Sequence, residues 1–71
     1  MSNWPSTRAS RVLAALQRIG WGLKRRAGGS HAVLARPGWR DFVWSFHEGE
    51  EIGPRMLARI ARRTGLRPED L

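Results

Sequence analysis

The sequence predicts a small α+β domain in the order helix, three antiparallel strands, helix. Three observations carry that expectation. Residues 8–19 and 54–64 repeat apolar side chains at helical spacing, residues 41–46 between them alternate with a period of two, and Pro37-Gly38 separates two strand-like runs.

Each element can be justified in turn. In RASRVLAALQRI, Ala9, Val12, Leu13, Leu16 and Ile19 recur at helical spacing while Arg8, Arg11 and Arg18 fall mostly on the outer face, giving an amphipathic helix. Ser6 or Thr7 is placed to cap its start, and Gly20, just past the last apolar residue, to end it in a left-handed conformation. GLKRR (residues 22–26) is short and basic and runs into Ala27-Gly28-Gly29, so it reads as an edge strand entering a glycine loop. HAVLAR then leads into Arg36-Pro37-Gly38-Trp39, where proline presets the first central position of a type II turn and glycine supplies the positive φ of the second. Beyond the turn Phe42, Trp44 and Phe46 alternate with Asp41, Val43 and Ser45, a strand with one buried face that stops at His47-Glu48-Gly49. From Pro54 onward Met56, Leu57, Ile60 and Ala61 form an apolar face, Arg55, Arg59, Arg62 and Arg63 cover the other, and Thr64-Gly65 ends the second helix. A three-stranded sheet needs cover on at least one face, and both helices carry a stripe that can provide it. The α-β-β-β-α order is that of double-stranded-RNA-binding domains.

Seventy-one residues without a cysteine make one domain, residues 1–71, that no disulfide or cysteine-bound metal staples together. Packing alone must hold it, with a thin margin of stability. Trp21 and Trp44 are expected in the core. Residues 1–6 are expected to form a flexible tail, and Trp4 there and Trp39 on the turn are candidates for stacking on bases or for burial under a partner. No apolar run approaches the roughly 20 residues of a membrane span. The opening MSNWPSTRAS also lacks the apolar stretch of a secretory signal, which points to the cytoplasm. The two histidines, His31 and His47, have carboxylates clustered near only one of them, so neither a metal nor another cofactor is expected.

Charge is distributed by position. Residues 1–40 hold seven arginines, one lysine and no acidic residue, whereas residues 41–71 set five arginines against six carboxylates, for a net charge of +7 overall. A basic pole of this kind attracts polyanions, and the arginine fork makes bidentate phosphate contacts that lysine cannot. A solvated arginine-rich surface is the plainer alternative.

At GGSHAVL (residues 28–34) the sequence resembles a family. Leu16-Gln17-Arg18-Ile19-Gly20-Trp21 is similar to the end of the first helix in HicA-type toxins, the small mRNA interferases of HicA/HicB toxin-antitoxin systems. Gly29-Ser30-His31 matches their Gly-Ser-His motif, followed by a strand, a Pro/Gly turn and a second strand ending in histidine. EIGPRMLARIARRTGL is similar to the family's last helix. The likeness spans roughly residues 6–71. It departs at Ser45, where the family usually has proline, and at Arg55-Met56, where it often has Gly-Thr.

The resemblance implies a metal-independent endoribonuclease on a double-stranded-RNA-binding-like fold, with His31 catalytic and a HicB-type antitoxin as partner. RNA carries its own nucleophile in the 2′-hydroxyl, so cleavage needs a base, an acid and a cation for the crowded phosphate. An imidazole with its ordinary pKa of about 6.5 serves as base or acid near neutrality. Gly29 and Ser30 would support it, the loop N–H groups can hold an anion, and Lys24, Arg25 and Arg26 arrive just before the loop. His47 is a candidate second acid-base group, although capping or a contact with Glu48, Glu50 or Glu51 is the plainer role for it. Arg36 and the stripe Arg55, Arg59 and Arg62 are candidate RNA contacts or, on the last helix, contacts to an acidic partner. The plain reading of His31 is that it starts a strand and donates one hydrogen bond to a turn carbonyl.

Two further functions compete. A non-catalytic RNA-binding module would use the same basic pole without turnover. A small DNA-binding regulator would read LARIARRTGLRPEDL as a helix-turn-helix. The alternation over residues 40–47 argues against that last reading.

Overall fold

The computed structural model describes residues 3–71, with five strands and two α-helices. Strand β1 (Thr7–Arg8) leads directly into α1 (Ala9–Arg18), which buries Ala9, Val12, Ala15 and Leu16 on one stripe. The expected side-chain cap from Ser6 or Thr7 is not formed. Thr7 is instead extended and paired with Ile52, and its hydroxyl donates to the Pro5 carbonyl at 2.7 Å. The first N–H groups of the helix find main-chain partners: Ala9 N–H donates to Glu50 O at 2.7 Å and Ser10 N–H to Glu48 O at 3.3 Å. A distant loop does the work of the cap.

At its other end α1 closes in a Schellman motif. Trp21 N–H reaches Leu16 O at 3.0 Å and Gly20 N–H reaches Gln17 O at 3.1 Å, a geometry that the φ of 114° at Gly20 permits. The turn delivers Trp21 into the core, where its indole N–H donates to Thr64 O at 3.0 Å.

Strands β2 (Gly22–Arg26), β3 (Ala32–Ala35) and β4 (Phe42–Trp44) form an antiparallel sheet in that spatial order. Trp39 N–H donates to Arg36 O at 3.0 Å and Gly38 has φ 84°, as the type II turn between β3 and β4 requires. β4 is shorter than the alternation implied: Phe46 lies beyond it, half-buried and edge-to-face with Trp44 at 5.0 Å. β5 (Glu51–Ile52) pairs with β1 in a separate two-stranded ladder that the sequence did not announce.

α2 (Pro54–Thr64) buries Leu57, Ile60 and Thr64; Met56, expected on its apolar face, is exposed because the stripe runs through the neighbouring positions. Residues from both helices cluster with Ala32, Leu34 and Trp44, so the two helices cover one face of the sheet. The other face carries the paired Val33 and Val43, and Val43 is 57 % exposed. A single turn of 3-10 helix, Pro68–Asp70, follows α2 in place of the second helix that a helix-turn-helix needs. Of the six residues expected as a tail, Met1 and Ser2 lie outside the described residues, while Trp4 is half-buried against the core.

Gly65 ends α2 with φ 77°, and a Cβ there would stand 2.8 Å from Cη2 of Trp39. Both the left-handed backbone and the indole oppose a side chain. Gly65→Ala is expected to destabilise the fold by about 1–2 kcal/mol, read as a lower urea midpoint at unchanged m-value.

Candidate functional site

The glycine loop joins β2 to β3 through a tight turn. Ala27 N–H donates to His31 O at 3.1 Å and His31 N–H to Gly28 O at 3.0 Å. Gly28 and Gly29 have φ of 94° and 55°, with Gly29 at the first central position, as in a type II′ turn. A Cβ at either glycine would meet nothing within 4 Å, so the loop needs glycine for the sign of φ and stands open to solvent. β3 begins one residue after His31. The turn bond of His31 is made by its backbone, and its exposed imidazole has no hydrogen bond or ion pair to any other described residue.

Register decides which basic residues stand near this loop. Leu23 pairs with Leu34, Arg25 with Val33 and Arg26 with Ala32, so Lys24 is one extra residue, a β-bulge. The bulge resets the alternation. Leu23 and Arg26, three residues apart, thereby share the helix-covered face with Leu34 and Ala32, and Arg25 turns to the opposite face with Val33.

Along the helix-covered face runs an open groove of about 510 Å³. Arg26, Gly29 and Ser30 border it from the glycine loop, and His47 and Glu48 from the loop after β4. This second loop is a turn closed by Glu50 N–H to His47 O at 3.0 Å, with His47 N–H donating to the Glu50 carboxylate at 3.1 Å. Its carbonyls at Glu48 and Glu50 are the ones held by the start of α1, which fixes the loop to the helix. The structure thus brings Arg26, Gly29, Ser30 and His47 to one groove. His31 follows Ser30 on the loop without lining it, and no hydrogen bond joins the two imidazoles.

The other candidate cations are dispersed. Lys24 reaches Asp41 at 2.7 Å in an exposed pair, of a kind worth about 0–1 kcal/mol and so readily exchanged. Arg36 is occupied within the fold: it lies 5.1 Å over the Trp39 ring and its Nη1 donates to Thr64 O at 3.5 Å. Trp39 in turn stacks edge-to-face on Trp21 at 6.0 Å. Arg59 and Arg62 border a second groove, of about 490 Å³, between β4 and α2, and Arg55 is exposed on the same helix. None of Arg25, Arg26, Arg55, Arg59 and Arg62 is in an ion pair with a described residue.

Sequence reasoning missed Leu13, Gln17 and Leu23 as parts of the first groove. Leu13 and Gln17 are four apart on α1, a spacing that marks a shared side of the helix but not what that side faces.

A family model described as the HicA toxin of bacterial toxin-antitoxin systems matches residues 9–66. No curated protein matches the chain.

Proposed function

The chain belongs to the HicA toxin family, and from that premise we propose that it is the toxin of a type II toxin-antitoxin system, an endoribonuclease that cleaves mRNA in the cytoplasm without a metal ion. His31 is its general acid or base. The observation that carries this reading is the setting of His31: an exposed imidazole with no hydrogen-bond or ion-pair partner among the described residues, on an open glycine loop where Ser30, the residue before it, borders the groove that Arg26 also borders.

The chemistry follows from what RNA supplies. As the 2′-hydroxyl attacks the adjacent phosphorus, its proton passes to a base; the P–O5′ bond breaks and the 5′-oxygen takes a proton from an acid. The products are a 2′,3′-cyclic phosphate and a 5′-hydroxyl. Arg26 is placed to hold charge that grows on the phosphoryl oxygens, and free loop N–H groups add to it. His47, on the same groove, is the candidate for the proton transfer that His31 does not make. A HicB-type antitoxin silences the toxin by covering this loop and the basic surface around it.

Cleavage of a long unstructured RNA in excess EDTA by the purified, antitoxin-free chain tests the reading. Fragments ending in cyclic phosphate are expected. Intact RNA beside a folded protein would leave a non-catalytic RNA-binding module as the better description.

A further inference from the structure

The groove beside Ser30 carries more than strand cleavage needs. Leu34 and Trp44 are buried at its base, half-buried Phe46 stands edge-to-face with Trp44, and Leu23 adds an apolar side chain that is 52 % exposed. A phosphate gains nothing from such a surface. The polar groups around it are of different kinds. Arg26 suits a phosphodiester, but Gln17 offers a neutral amide, donor and acceptor side by side, that makes no side-chain hydrogen bond to a described residue. An apolar and aromatic base with an amide at its margin matches the two faces of a nucleobase, whose flat surface stacks and whose edge hydrogen-bonds. The volume falls within the range of about 300–1,000 Å³ common to small-ligand sites.

We propose that this groove is a nucleobase subsite. One unpaired base of the RNA lies against Leu23 and Phe46, above the buried Leu34 and Trp44, with its edge on the Gln17 amide. The neighbouring phosphodiester then runs past Arg26 and Ser30 to His31, the next residue of the loop. Glu48, the one carboxylate among the described residues that line the groove, repels phosphate from its own side and so favours that course for the backbone. The inference takes its ligand from the ribonuclease reading, and it adds that the substrate is single-stranded at the cut and chosen by base.

Binding can be read apart from cleavage with 2′-O-methyl tetraribonucleotides, which lack the nucleophile. The ¹⁵N-labelled full chain is titrated with four of them, each made of a different base, while the Trp44 indole N–H and the Gln17 side-chain amide are followed. Both signals are expected to shift, with one base bound about tenfold more tightly than the weakest, as loss of one good base contact would give. Gln17→Ala, at an exposed helix position where alanine is well tolerated, is expected to erase that preference. Leu23→Asp, on the exposed edge strand, is expected to weaken all four. No binding, equal binding of all four, or shifts confined to residues outside the groove overturns the proposal. Base-selective binding at Gln17 and Trp44 by a chain that leaves unmodified RNA whole supports the subsite and sinks the ribonuclease reading alone.

Discussion

His31→Ala is expected to lower the rate of RNA cleavage by about 10²- to 10⁴-fold, the usual contribution of a positioned acid or base, while the chain stays folded and still binds RNA. The second half of that expectation comes from the structure. The imidazole is exposed and makes no bond to a described residue, and the turn is held by backbone groups that alanine keeps. Such surface changes typically move stability by no more than about 0.5 kcal/mol. Single-turnover cleavage beside thermal unfolding of both proteins checks the two halves together. Full activity in the variant would remove His31 from the mechanism and turn attention to His47; a large fall in melting temperature would make its role structural.

Trp21→Ala is expected to have the largest effect on the fold. The indole is 2 % exposed, lies edge-to-face with Trp39 and Phe42, and donates to Thr64 O. Deleting a buried tryptophan costs about 3–5 kcal/mol. That is comparable with the lower end of the roughly 5–15 kcal/mol that holds a whole domain together. At about 4–8 °C per kcal/mol for a domain of this size, the melting temperature should fall by at least about 12 °C. Trp21→Phe keeps a ring but leaves Thr64 O with only the long bond from Arg36, and should cost about 1–3 kcal/mol. Denaturant unfolding of both variants ranks the effects. An alanine variant within 1 kcal/mol of the parent, or a phenylalanine variant worse than it, would contradict this account.

The helices, the edge strand and the Pro37-Gly38 turn were legible in the sequence because each has a local cause: a stripe, a basic run beside glycines, a fixed φ before a positive one. Gly20 and Gly65 could be placed for the same reason. The ladder of β1 with β5 could not, since two-residue strands have no period to read and their pairing depends on the intervening chain. The missing side-chain cap on α1 has the same origin, because its substitute comes from the loop at Glu48–Glu50. At the site, Gly29-Ser30-His31 stands out as a motif and a loop. The groove beside it does not, because Gln17, Leu23 and Arg26 meet only through helix packing and the bulge at Lys24. Arg36 was legible as a cation on the basic pole, but its contact with Thr64 was not, since it joins positions far apart in the chain.

The bulge also bears on how copies of this chain behave when crowded. β2 is an outer strand, and a straight outer strand presents free N–H and C=O groups to any other extended segment it meets. Here the extra residue breaks that run, and Lys24, Arg25 and Arg26 set three successive cations along it. β4, the opposite margin, is only three residues long. Both outer strands are thus poor templates for edge-to-edge pairing, β2 through an irregularity and repulsion and β4 through its shortness.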